Sequence, residues 1–229
     1  MVAFPLPPLY AIIDAQIAFR PILEVTETLL EAGVRLIQYR NKQACSRELF
    51  EAGVQVAERV RRVGGIFIMN DRADVALALG ADGVHLGQDD LPVEMARSVL
   101  SRDKIIGVST HTLSQVQDAD QSSADYIAFG PIFATGAKTN PEPVVGLAGL
   151  VQARKATRKP LVAIGGITLT QARAVKESGA DSIAVIQALL GAPDPGQQAR
   201  QFVQELSAIS NQPAASRFRQ KGYRDGNAC

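Results

Sequence analysis

The sequence predicts a single-domain (β/α)8 barrel, and three observations carry that prediction. Eight short β-rich segments alternate with longer amphipathic ones along the chain, as parallel strands joined by helical crossovers do. Polar and charged residues gather just after the short segments, where the site of such a barrel lies. No Gly-x-Gly-x-x-Gly follows the first segment, which weighs against the runner-up, a doubly wound open sheet. The 229 residues, 46% hydrophobic and 21% charged, are enough for one large core, and α/β barrels commonly run to about 250 residues as one unit.

The strands are expected at Leu9 to Ile13, Leu36 to Tyr39, Ile66 to Met69, Gly83 to Leu86, Ile105 to Val108, Tyr126 to Phe129, Leu161 to Ile164 and Ser182 to Val185. Each is short and apolar enough to be buried on both faces. Between them the period turns helical. After Ser46, apolar or small residues recur at Leu49, Gly53, Val56, Val60 and Val63, while Glu51, Glu58, Arg59 and Arg62 take other faces. Thr112 with Gln115, and Thr168 with Gln171, have the spacing that satisfies helix-end amides reciprocally, and Asp194 before Pro195 opens the last helix similarly. Ala32-Gly33-Val34, Gly80-Ala81-Asp82, Ser123-Ala124-Asp125 and Gly179-Ala180-Asp181 each precede a strand, about two βα units apart, so one unit is reiterated. The barrel is expected over residues 1–210. From Asn211 the periodicity is lost, and Arg217, Arg219, Lys221 and Arg224 stand against Asp225, so 211–229 is expected to be a disordered tail.

With 24 Lys+Arg against 23 Asp+Glu the net charge is +1, which offers no global field for nucleic acid or a membrane surface. Met1 to Ile13 is apolar but lacks a basic start and carries Pro5, Pro7 and Pro8, and no run approaches the ~18 apolar residues of a membrane span. The expectation is a soluble cytoplasmic protein with small-molecule partners, and a homo-oligomer stays open. Cys45 and Cys229 make no disulfide framework, and with only His85 and His111 a zinc site is disfavoured. Any metal should be held by oxygen.

Alternation along a strand gives Gln38, Arg40 and Lys42 one orientation toward the barrel mouth, where Lys138 from the sixth strand would join them. Asp71 and Asp90 follow the neighbouring third and fourth strands. Two carboxylates suit magnesium, which fills its other positions with water and phosphate oxygens. Together the sets describe a diphosphate clamp; the bland alternatives are surface ion pairs and a helix cap. Gly165-Gly166 lets backbone amides approach a second phosphate near the seventh and eighth strands, or forms only a tight turn. His111 is a candidate acid or base, or only a residue at a helix start; His85 reads as a packed barrel histidine, and Cys45 as inert.

Gln38-x-Arg40-x-Lys42, Asn70-Asp71-Arg72-x-Asp74, Gly83-Val84-His85-Leu86-Gly87-Gln88-x-Asp90-x-Pro92, Gly107-x-Ser109-x-His111, Gly130-Pro131-Ile132-Phe133-x-Thr135-x-x-Lys138 and Ala163-Ile164-Gly165-Gly166-Ile167 form an ordered series. It resembles the thiamin phosphate synthase family, from about Leu9 to Leu206. The resemblance implies a (β/α)8 transferase that joins hydroxymethylpyrimidine diphosphate to a thiazole phosphate. It implies that Gln38, Arg40, Lys42, Asn70, Ser109 and Lys138 hold the pyrimidine diphosphate, with Arg40, Lys42, Ser109 and Lys138 acting in catalysis. Asp71 and Asp90 would bind Mg²⁺, and Thr135, Gly166 and the backbone at Ile186 and Gln187 would hold the thiazole phosphate, with position 137 on the same side. The family usually has a second threonine where Ala137 stands and a serine where Gln187 stands, so this side departs from the pattern.

Three other readings compete. A thiazole tautomerase of the same superfamily would not need both Asp71 and Asp90. A noncatalytic thiazole-phosphate binder would be expected to lose part of the set Arg40, Lys42 and Lys138, and an unrelated sugar-phosphate isomerase would lack the Gln38 to Lys42 pattern.

Overall fold

Short strands that are apolar on both faces need cover on both, and a closed barrel inside a ring of helices provides it. The computed structural model describes residues 6–136 and 142–210. The strands are β1 (Leu9–Asp14), β2 (Leu36–Arg40), β3 (Ile66–Asn70), β4 (Gly83–Leu86), β5 (Ile105–Thr110), β6 (Tyr126–Phe129), β7 (Leu161–Ala163) and β8 (Ser182–Val185). They pair in parallel in chain order, and β8 closes onto β1. The helices are α1 (Ile22–Glu31), α2 (Ser46–Arg62), α3 (Ala73–Ala78), α4 (Val93–Val99), α5 (Leu113–Gln121), α6 (Gly146–Ala156), α7 (Leu169–Glu177), α8 (Gln187–Leu190) and α9 (Pro195–Ser210). Among the described residues no helix is long and apolar enough to cross a membrane. Ala137, Lys138 and residues 211–229 lie outside the described residues.

Alternation sorts the core into two layers. Tyr10, Leu36, Ile68, Tyr126 and Val162 pack inside the barrel, while Ala11, Ile37, Met69 and Ile127 face outward to helix residues such as Leu29, Val56 and Val175. The Tyr126 ring fits because its register partner is Gly107: a Cβ there would lie 1.9 Å from the Tyr126 Cζ. Gly107→Ala is therefore expected to destabilise the protein by about 3 kcal/mol, a fall of about 6–12 °C in Tm for a domain of this size. A melting curve matching the parent's would show that the ring can move aside.

The expected bounds of β4, β6 and β8 hold. Four strands run further, β1 into Asp14, β2 into Arg40, β3 into Asn70 and β5 into Thr110. The expectation ended each strand at its last apolar residue, but the ladder continues through polar ones, with Asp14 opposite Arg40 and Asn70 opposite His85. Strand β7 stops before Ile164, whose N–H donates to Phe129 O (3.1 Å) and whose carbonyl accepts from Ile132 N (2.8 Å). Both predicted capping boxes form, and Asp194 Oδ1 accepts the Gln197 N–H at 2.9 Å.

The reiterated junction has a physical meaning that glycine alone did not reveal. Asp82, Asp125 and Asp181 each accept the backbone N–H of a residue in the preceding strand, from Phe67, Ile106 and Leu161, each at 2.8 Å. A carboxylate thus satisfies an amide at the starts of β3, β5 and β7. These bonds lie at the end opposite the site, where recurring residues serve stability.

Candidate active site

The C-terminal strand ends surround a cavity of ≈ 390 Å³. Gln38, Arg40, Lys42, Asn70, Asp71, Asp90 and Ser109 line one side of it, from β2 to β5 and the loops that follow. Thr135, Gly166, Ile186 and Gln187 line the other.

The charged wall begins at a turn. Asp71 has a φ of 61°, Arg72 N–H donates to Asn70 O around it at 2.7 Å, and Asp71 N–H donates to His85 O at 2.8 Å. Asp and Asn are among the non-glycine residues that best tolerate this conformation, and the bond to His85 ties the Asp71 backbone to β4. Lys42 Nζ lies 3.0 Å from Asp71 Oδ2. Asp90 is held by the Gly87 N–H at 2.7 Å. Burial pushes the Asp90 carboxyl above its usual range, and the neighbouring Asp71 pushes it further in the same direction.

Arg40 departs from the expected picture of a cation facing only Asp71 and Asp90. Its guanidinium pairs with Asp14, which is also held by Gln16 N–H at 2.9 Å. The Asp14 side chain is 1% exposed and that of Arg40 17%. Sequence reasoning missed Asp14; its only signal is a carboxylate ending the first apolar run, where an inward residue meets β2.

A neutral wall adjoins the charged one. Gln38 Nε2 donates to the Tyr10 hydroxyl at 2.6 Å, and the Tyr10 and Tyr126 hydroxyls are 3.0 Å apart. Tyr126 reaches His85 Nδ1 at 2.8 Å, and His85 Nε2 reaches Ser109 Oγ at 2.9 Å. Burial pushes both phenols up, so both stay protonated. Tyr10 and Tyr126 lie within apolar runs, which hid them; His85 is packed in the barrel and also lines the cavity. His111 lines the cavity too, with Nδ1 2.6 Å from the Gly130 carbonyl, so that nitrogen carries a proton.

On the opposite side, Gly165 and Gly166 take φ of 88° and 66°. A Cβ on Gly166 would lie 2.3 Å from Ala134 O, so this turn admits only backbone. Ile186 precedes α8 and Gln187 begins it.

Residues 9–189 match the family described as thiamine monophosphate synthase. The chain is 48% identical over 207 residues to the thiamine-phosphate synthase of Koribacter versatilis, covering 88% of this chain and 96% of that protein. It is 43% identical over 195 residues to the enzyme of the same name from Moorella thermoacetica, covering 85% and 93%. The chain belongs to the thiamine monophosphate synthase family. Its barrel superposes on thiamine phosphate pyrophosphorylase from Pyrococcus furiosus with a TM-score of 0.82 at 36% identity, covering 89% of this chain and 96% of that one. For a thiamine monophosphate synthase, then, the cavity joins Asp71, Asp90 and Lys42 to a neutral hydrogen-bonding wall and, across from both, to a glycine turn.

Proposed function

We propose that this barrel is a cytoplasmic transferase that condenses 4-amino-2-methyl-5-hydroxymethylpyrimidine diphosphate with 4-methyl-5-(2-phosphoethyl)thiazole or its carboxylate. The bond from the pyrimidine methylene to the diphosphate oxygen breaks, and diphosphate leaves with the electron pair. The thiazole nitrogen lone pair forms the new C–N bond, giving thiamin phosphate; from the carboxylate form, the bond to the carboxyl carbon also breaks and CO₂ is released. The observation that carries the reading is the division of one cavity into a charged wall and a neutral one, suited to a ligand with a diphosphate and an uncharged ring.

On this reading Arg40 and Lys42 bind the diphosphate, with Lys138 as a further ligand, while Gln38, Asn70 and Ser109 orient the pyrimidine. Preorganised cations in a partly dry site stabilise charge as it develops on the leaving group. Thr135, Gly166 and the backbone at Ile186 and Gln187 hold the thiazole phosphate. No protein nucleophile is required, since the thiazole nitrogen attacks.

Asp71 and Asp90 fit Mg²⁺. They are adjacent oxygen donors, and the Asp90 carboxyl is raised first by burial and then by Asp71, so a cation bound between them would relieve the repulsion of the ionised pair. Among the described residues no group of three or more His, Cys, Asp or Glu could hold a metal ion, so water and phosphate would complete the shell, as Mg²⁺ prefers. When bound, Mg²⁺ supplies neutralisation of the diphosphate charge.

Incubating the protein with both substrates and Mg²⁺ is expected to yield thiamin phosphate and diphosphate in equal amounts; no product from either thiazole form overturns the reading. Ala137 gives a narrower test. A threonine hydroxyl at this position would add a hydrogen bond to a phosphate, worth about 1.5–3 kcal/mol. Ala137→Thr is expected to lower the KM for thiazole phosphate about tenfold and leave that of the pyrimidine diphosphate unchanged. An unchanged thiazole phosphate KM would mean that other groups already satisfy this phosphate.

A further inference from the structure

Five buried or half-buried groups form one hydrogen-bonded chain beneath the cavity, and counting their protons gives the chain a direction. Gln38 Nε2 donates to the Tyr10 oxygen at 2.6 Å. Among the described residues, the Tyr10 proton then has one hydroxyl in reach, that of Tyr126 at 3.0 Å. The Tyr126 proton goes to His85 Nδ1 at 2.8 Å. An accepting Nδ1 places the imidazole proton on Nε2, which donates to Ser109 Oγ at 2.9 Å. That leaves the Ser109 proton for the cavity, which Ser109 lines. At the other end one N–H of the Gln38 amide is held by Tyr10, which fixes the amide's orientation, and its carbonyl oxygen is left to accept.

The rings that carry the chain are locked. Tyr10 and Tyr126 meet edge to face with centroids 6.1 Å apart, and His85 stacks on Tyr126 at 5.5 Å. Both phenols stay protonated because burial opposes their ionisation, so the number of protons in the chain does not vary.

We infer that Tyr10, Tyr126 and His85 are positioning residues that fix the hydrogen-bond polarity of the pyrimidine subsite, holding Ser109 as a donor and the Gln38 carbonyl as an acceptor. Taken with the proposed function, on which this part rests, that polarity suits an aminopyrimidine: its amine donates to Gln38 and a ring nitrogen accepts from Ser109. A ligand with an oxo group in place of the amine would meet acceptor with acceptor, and the site would discriminate against it.

The test has two arms. In the full chain with ¹⁵N-labelled histidine and no substrate, the two imidazoles are assigned through His111→Gln, and His85 is expected to carry its proton on Nε2. Protonation on Nδ1 would overturn the assigned polarity whether or not the chain makes thiamin phosphate, so this arm is independent of the functional reading. In the second arm Tyr126→Phe keeps the ring and breaks the chain. The KM for the pyrimidine diphosphate is expected to rise about tenfold, while that for thiazole phosphate stays within about twofold. A merely structural role predicts lower stability with both KM values unmoved or moved together, and that result overturns the inference. Should Tyr126→Phe fail to fold, Tyr10→Phe, which breaks the same chain one link earlier, is read in the same way.

Discussion

Asp71→Asn is expected to lower turnover about 100-fold or more. Stabilisation of a leaving group by a bound metal ion is worth several kcal/mol, and each ~1.4 kcal/mol is a factor of ten in rate. Asparagine suits this position as a probe, because it tolerates the φ of 61° that Asp71 adopts. The substitution therefore tests the charge and leaves the turn in place. Its effect on stability should be small, since the pair it breaks, with Lys42, involves a half-exposed lysine and such pairs contribute about 0–1 kcal/mol. Asp90→Asn is expected to act in the same direction.

Mg²⁺ should also be visible without turnover. The Asp90 carboxyl is raised by burial and by Asp71, so over the range between its unfolded and folded pKa values the folded protein holds more proton than the unfolded one. This contribution to stability is present at low pH and is lost as pH rises through the raised folded value. A divalent cation bound to the deprotonated pair, as proposed, would offset that loss. Mg²⁺ is accordingly expected to raise Tm more near about pH 7.5 than near about pH 4, and Asp71→Asn should abolish the difference. Full activity in excess chelator, together with no shift in Tm, would sink the metal assignment.

The barrel was legible because its strands are short, apolar and separated by amphipathic helices, and because Thr112, Thr168 and Asp194 announce helix starts. Two of the charged residues that line the cavity were legible for a related reason: a charged residue that ends or directly follows a buried run has little structural purpose there, and Arg40 and Asp71 stand out. Two kinds of residue were not legible. Tyr10 and Tyr126 belong to the apolar period, and only the closed barrel brings their hydroxyls together across 116 residues of chain. Asp14 ends one strand and Arg40 the next, so their pairing depends on a register that no local pattern specifies. The repeated Ala-Asp before β4, β6 and β8 was visible as a repeat, but its bond to the preceding strand needed three dimensions.

Arg40→Ala is expected to damage stability and catalysis by separable routes. Asp14 is enclosed in the barrel, and Arg40 is its charged partner. Removing one member of a buried pair leaves the other as an uncompensated charge, which destabilises by about 3–5 kcal/mol, or about 6–20 °C in Tm at this chain length. Neutralising both should be far milder, because no charge is then stranded. Asp14→Asn combined with Arg40→Ala is thus expected to recover most of the lost Tm, an interaction that a double-mutant cycle would report as non-additive. Under the proposed function activity should not recover with it, since both variants lack the guanidinium proposed to stabilise charge developing on the diphosphate. Thermal melts with single-turnover rates on all three variants would separate the effects. Equal melting of Arg40→Ala and the double variant would mean that Asp14 does not depend on Arg40. Recovered turnover in the double variant would mean that Arg40 serves only to neutralise Asp14, with Lys42 and Lys138 left as the cations of the clamp.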